Sequence, residues 1–324
     1  MTPAFSIIFF TTASGAGYGL LFVLALLVIA TALPVSFVLT ALGLALGLVS
    51  VGLVASTFHL GHPERAWRAL TQWRSSWLSR EGVLALACYA PAFGLGAAIA
   101  LGWPHGIAVI SALALGALAA ATVYSTAMIY ASLKTIAAWH DRRVPAAYLL
   151  LGAMSGALLA RFLLAAFDLP PHGLPWIAVA LIAAAARVKR DYWRAQAMQA
   201  PTSDLGSATG LDRFGRPRVL QPAHTERNFL LKEFGFEVGR RHAARLRRLA
   251  FALAFAAPLA LSLLGALPAF ALAASAGAVL SAALGLVLER WLFFAEARHT
   301  VMLYYGAELA PARPLAPFKG TRHG

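Results

Sequence analysis

One stretch of the sequence, STFHLGHPERAWRALTQWRSSWLSREGVLALA at residues 56–87, concentrates residue types that move protons. His59 stands where one apolar run ends and Glu81 where the next begins, so a chain that doubles back between them sets an imidazole and a carboxylate at the same depth. An imidazole accepts a proton near neutral pH, and a carboxylate relays it onward. Oxidation of a quinol releases two electrons and two protons, so this pairing at a membrane boundary suits a quinol site. Arg65, between them, is the third candidate for it. The same residues have plainer uses. A boundary histidine caps a helix or snorkels, and Ser79 followed by Glu81 is an ordinary acidic helix start.

Other residues narrow the chemistry. Pro63 suits the first turn of a short helix, on which Trp67, Leu70, Trp73 and Trp77 recur at helical spacing, as expected of a helix lying in the membrane interface. Arg161 is the one charge deep inside an apolar run, and an intramembrane charge is a functional candidate by default. It lies about 9 Å of helix rise before Phe167, close enough to snorkel to the boundary or to pair with Asp168. Lys134 and Glu289 fall near run ends and read first as interfacial anchors. All nine histidines fall at boundaries or in loops, which argues against a haem held between facing helices, and the single Cys88 cannot hold an iron–sulfur cluster. This chain is expected to bind no redox cofactor or metal itself.

The elements that position these residues follow from composition. Of 324 residues, 60% are hydrophobic and 12% charged, with a mean hydropathy of +0.71. Soluble domains run at about 45–50% apolar and about 25% charged. The excess excludes a cytosolic enzyme, a disulfide scaffold and a disordered tail, and implies an all-α polytopic membrane protein. A crossing helix needs about 20 residues. Eight runs are candidates: Phe5–Ala30, Phe37–Phe58, Gly82–Leu101, Ile107–Leu133, Ala146–Phe167, Leu174–Val188, Leu249–Ala266 and Ala269–Phe294. The sixth is the shortest and soon reaches Arg187. No basic region or small-residue cleavage site precedes the first run, which therefore reads as a retained helix.

With eight spans, 26 of the 27 Lys and Arg residues fall on the side of the termini and long loops, and Arg161 is the remaining one. The positive-inside rule then puts both termini in the cytoplasm. The net charge of +14 thus reflects topology, not a nucleic-acid partner. The chain is expected to form a single integral membrane domain over 1–324, with 189–248 a cytoplasmic connecting segment. The middle of that segment, PTSDLGSATGLDRFGRPRVLQPAHTERN, reads as irregular, and LLKEFGFEVGRRHAARLRRL as a basic helix.

The stretches TPAFSIIFFTTASGAGYGLL, FHLGHPERAWRAL, SSWLSREG, MIYASLKTIAAWH, VPAAYLLLG and ERNFLLKEFGFEVGRRHAARL resemble the DMSO reductase anchor subunit (DmsC) family. The resemblance implies eight transmembrane helices without haem. It implies a third subunit on which a catalytic subunit with molybdopterin guanine dinucleotide and a ferredoxin-like subunit with [4Fe–4S] clusters dock. The anchor would exchange electrons with menaquinol or ubiquinone, with His59 and Glu81 matching the residues implicated in quinol binding and oxidation. The anchor of a cytoplasm-facing sulfite dehydrogenase that passes electrons to quinone resembles the chain equally well. A secondary transporter is the alternative from another class, weakened by the lack of a visible repeat pair and by a nearly uncharged midplane.

Overall fold

The computed structural model describes residues 4–58, 62–198, 204–215, 217, 220 and 242–303. Among these every regular element is helical. The long helices are α1 (Phe5–Ala30), α2 (Val35–Thr57), α3 (Trp77–Ala100), α4 (His105–Ala131), α5 (Arg143–Ala166), α6 (Leu174–Met198), α7 (Ala243–Leu264) and α8 (Pro268–Ala295). Hydrocarbon offers the backbone no hydrogen-bonding partner, so apolar runs of this length close their own bonds as helices. Pro34 and Pro104, whose missing N–H costs nothing at a helix start, precede α2 and α4. Pro91 interrupts α3: it has no N–H for the Ala87 carbonyl, and the helix breaks at Cys88 between its two halves. In α7, residues Ala252–Ala256 form a π-turn, where Ser281 Oγ of α8 donates to the Leu253 carbonyl at 2.8 Å.

Seven of these helices are long and apolar enough to cross a membrane. The exception is α6, so length and composition support seven of the eight expected spans. The apolar run expected to end at Val188 continues as helix to Met198, through Arg187, Lys189, Arg190, Asp191 and Arg194, and these charges set it apart by composition. The interfacial helix after α2 is also changed. A 3₁₀ helix spans Pro63–Gln72, with Trp67 and Trp73 exposed. Trp77 belongs instead to α3 and packs edge-on against Tyr124 at 5.9 Å. About half of the connecting segment lies outside the described residues, as does most of the expected basic helix. The described part includes a short helix, Leu205–Thr209, capped by Asp204.

The bundle is organised around α1, which packs against α2, α4, α5 and α8. Its approach to α5 is set by glycine. A Cβ on Gly19 would overlap the Gly152 carbonyl, and a Cβ on Gly156 would overlap the backbone of Gly19. Gly15 and Gly19 on α1 thus interlock with Gly152 and Gly156 on α5, two small-xxx-small faces pressed backbone to backbone. On another face of α1, a Cβ on Gly17 would stand 2.7 Å from the Ala45 carbonyl oxygen and 2.8 Å from Val49 Cγ2 of α2. In contrast, Cβ atoms on Gly43 and Gly47 would meet nothing within 4 Å.

This difference sets an expectation for substitutions. Gly156→Ala forces two backbones apart and should cost about 1–3 kcal/mol, seen as a lower Tm and reduced yield of the detergent-solubilised protein. Gly43→Ala should be neutral or stabilising by about 0.5–1 kcal/mol, because it lowers the entropy of the unfolded helix at no steric cost.

Candidate functional site

Of the three candidate residues, His59 lies outside the described residues. Arg65 sits on the 3₁₀ helix with its side chain 56% exposed, its Nε 3.7 Å from Glu64 Oε1. Glu81 is 4% exposed. The structure therefore does not bring Arg65 onto Glu81: one lies on the surface and the other inside the bundle.

The plain helix-start role for Glu81 also gives way. Helix α3 begins at Trp77, and its cap is Ser76, whose Oγ accepts from Ser79 N–H at 3.4 Å. Glu81 falls in the second turn and points at α4, where Thr126 Oγ1 donates to its Oε1 in a very short hydrogen bond. Thr126 Oγ1 also lies 3.0 Å from the Thr122 carbonyl. A threonine has one hydroxyl proton and cannot serve both acceptors. When Glu81 is ionised, Thr126 gives it that proton; when Glu81 is protonated, its own O–H donates to Thr126, which turns to Thr122. The contact accommodates a carboxyl that gains and loses a proton without moving.

Thr126 also lines a cleft between α1, α4, α5 and α8, together with Thr11, Ser14, Tyr18, Tyr148 and Arg290. Its free volume is about 20 Å³, room for a water molecule and too little for a quinone ring. Sequence reasoning missed these residues. Their only signal is that Thr11, Thr12 and Ser14 are polar in an otherwise apolar run.

Beside the cleft lies a second buried polar group. Glu289, read from sequence as an interfacial anchor, is 0% exposed; Lys189 of α6 pairs with it closely, and Arg290 Nε stands 3.6 Å away. Aromatic rings wrap the cations. The Arg290 guanidinium lies 3.7 Å from the Tyr148 ring centroid, and Lys189 Nζ lies 4.2 Å from that of Tyr192. The α4–α5 connection closes over the group, with Trp139 Nε1 donating to the Phe293 carbonyl at 3.0 Å and Tyr192 OH donating to the Ala138 carbonyl at 3.0 Å. Lys134 remains exposed. Arg161 neither snorkels nor pairs with Asp168. Asp168 turns out past the end of α5 at φ 52°, exposed, while the guanidinium is buried under the α7–α8 hairpin, 2.5 Å from where a Cβ on Gly265 would sit. Among the described residues, no three His, Cys, Asp or Glu side chains gather to hold a metal ion.

The ion cluster carries a stability expectation. Glu289→Gln leaves two buried cations with no anion and should cost about 3–5 kcal/mol. Arg247→Ala, which breaks the partly exposed pair with Glu296, made of two 2.8 Å contacts, should cost on the order of 1 kcal/mol. Thermal unfolding of the two purified variants under one detergent condition ranks them.

The comparisons with known proteins agree with this picture of a helical membrane subunit. No solved structure matches the chain. A subunit of the sulfite dehydrogenase of Allochromatium vinosum is 34% identical over 331 residues, covering 94% of this chain and 99% of that protein. The model of the family described as DMSO reductase anchor subunit (DmsC) matches residues 1–295. The protein is a multi-pass membrane anchor subunit of an oxidoreductase, and the chain belongs to the DMSO reductase anchor subunit (DmsC) family.

Proposed function

We propose that this anchor exchanges electrons with the quinone pool of a bacterial inner membrane on behalf of a molybdopterin catalytic subunit and a ferredoxin-like [4Fe–4S] subunit. The observation that carries the reading is Glu81: a carboxyl buried at one end of the bundle, held by a threonine hydroxyl that fits either of its protonation states. A quinone takes up two electrons and two protons on reduction, and Glu81 supplies one proton at a fixed position. His59, which follows α2 in the sequence, serves the other oxygen of the ring. Arg65, exposed on the short helix that joins them, contributes positive charge at the entrance. The 34% identity to a sulfite dehydrogenase subunit favours electron flow from sulfite, oxidised by the partner, to quinone. The resemblance to the DMSO reductase anchors supports the reverse flow, from menaquinol to an oxide, on the same site.

The topology that goes with this reading has eight spans and both termini in the cytoplasm. Its support is the path of α6, which packs along α5 after a short connection and ends where Tyr192 reaches Ala138, just ahead of the start of α5. A helix that returns from one end of a spanning helix to the other spans with it, and its charged last turns then rejoin the Arg- and Lys-rich side. A reporter such as alkaline phosphatase, active only when exported, should be active when fused at His172 and inactive within 204–215. Equal activity at the two positions would remove the crossing of α6.

The site is tested with the intact complex. Glu81→Gln keeps shape and hydrogen bonding but removes the proton, so quinone-linked turnover should fall by about 10²–10⁴. Turnover with a soluble artificial electron acceptor should persist, since that assay bypasses the membrane site. Unchanged quinone turnover, or loss of both activities together, would count against the proposed role.

A further inference from the structure

The cleft beside Glu81 contains polar atoms that its own walls leave unsatisfied. Tyr18 is 2% exposed, and its hydroxyl has no hydrogen-bond partner among the described residues. The Tyr148 hydroxyl, also buried, finds no acceptor there; its polar neighbour is the Arg290 guanidinium over its ring, itself a donor. Leaving a buried hydroxyl unpaired costs about 1–3 kcal/mol, so two on residues that line one cavity call for an occupant. The remaining hydroxyls are the complement. Thr11 donates to the Ile7 carbonyl at 2.9 Å, Ser14 to Phe10 at 2.6 Å and Ser155 to Leu151 at 2.8 Å. Each spends its proton on its own helix and keeps lone pairs for the cleft. The cavity thus offers two unused donors and several unused acceptors around a free volume of about 20 Å³. A water needs roughly 10–15 Å³ of such space and two to four polar partners. It accepts from two phenols and donates to two hydroxyl oxygens, which fills its own valence.

We propose that this cleft binds an ordered water, held by Tyr18 and Tyr148, that exchanges protons with Glu81 through the Thr126 hydroxyl. This rests on the reading of Glu81 as the proton donor to quinone. In quinone reduction the two electrons come from the redox centre of the partner subunits, and Glu81 gives one of the two protons to a quinone oxygen. The resulting carboxylate draws the hydroxyl proton of Thr126. Thr126 Oγ1 takes a proton from the cleft water, and the water is restored by a proton from solvent. Only O–H bonds break and form, and no other group is oxidised or reduced. The Arg290 charge on the cleft wall disfavours a resting hydronium, so the water passes a proton on instead of storing it. Tyr18 and Tyr148 are positioning residues in this scheme; they hold the water and touch neither quinone nor electrons.

Two measurements test it. In a density map of the intact complex at a resolution that shows waters, the cleft should contain one within hydrogen-bonding distance of Tyr18 Oη; a dry cleft overturns the proposal whatever Glu81 does. The second is kinetic. The Tyr18→Phe/Tyr148→Phe pair keeps both rings and removes both hydroxyls. Quinone-linked turnover should fall about tenfold or more, with a larger solvent deuterium isotope effect than the unaltered complex shows. Activity with the artificial acceptor should be unchanged. Gly15→Val is the second route, because Gly15 lines the cleft and a Cβ there meets nothing within 4 Å, so the added side chain competes with the water while both phenols stay in place. It should reproduce the isotope effect even if the double variant fails to assemble. Wild-type quinone turnover and isotope effect in these variants, beside a Glu81→Gln complex that has lost quinone turnover, would overturn the water path and leave the Glu81 site standing. Wild-type turnover in Glu81→Gln itself would overturn the site, and the proton path with it.

Discussion

The contact of α1 with α5 is backbone on backbone, and most of the functional geometry depends on it. Lipid tails are as apolar as leucine, so helices in a bilayer gain little from burying apolar surface against one another and must gain it from close packing. Gly19, Gly152 and Gly156 provide that packing by having no side chain to keep the helices apart. One residue before Gly19 on α1 is Tyr18, and four before Gly152 on α5 is Tyr148. A crossing that fixes the glycines therefore fixes the two phenols, and with them the walls of the cleft that Thr126 shares.

The charges follow the opposite logic. A carboxylate and two cations are expensive to bury, and they persist in this bundle because they meet one another and a shell of rings. Glu289, Lys189 and Arg290 join α6 to α8, and Tyr148, Tyr192, Trp139 and Phe293 close over them. The Arg247–Glu296 pair then ties the first turns of α7 to the end of α8. Polar interactions thus hold one end of the bundle and small residues hold its middle.

Much of the fold is legible in the sequence because a span is a local property: some twenty residues in a row declare it. Seven helices follow the expected runs closely. The sixth run is harder because Arg187 and Lys189 look like the start of a loop when the ion pair that accepts Lys189 lies a hundred residues away at Glu289. The site divides in the same manner. Glu81 stands out because it opens an apolar run just after the stretch that holds His59. Its partner Thr126 is 45 residues off on another helix, and one threonine in an apolar helix cannot be told from any other by pattern. Glu289 misleads for a related reason. Its distance from the end of the run suggests the interface, while the rotation of α8 turns it inward.

The π-turn in α7 has a consequence for how that helix is read. An ordinary helix turns about 100° per residue, so the extra residue in a π-turn changes the rotational phase of everything before it relative to everything after it. Below the turn, Arg247 is aimed at Glu296; at the turn, the Gly285 face of α8 presses on the backbone of Ala254. Both contacts are with the same helix and lie seven residues apart on α7, a spacing that an α-helix keeps on one face. The π-turn works as a phase joint for what lies beyond it: it rotates the stretch after Ala256, with Pro258 and Ser262 buried, relative to the charged start of the same helix.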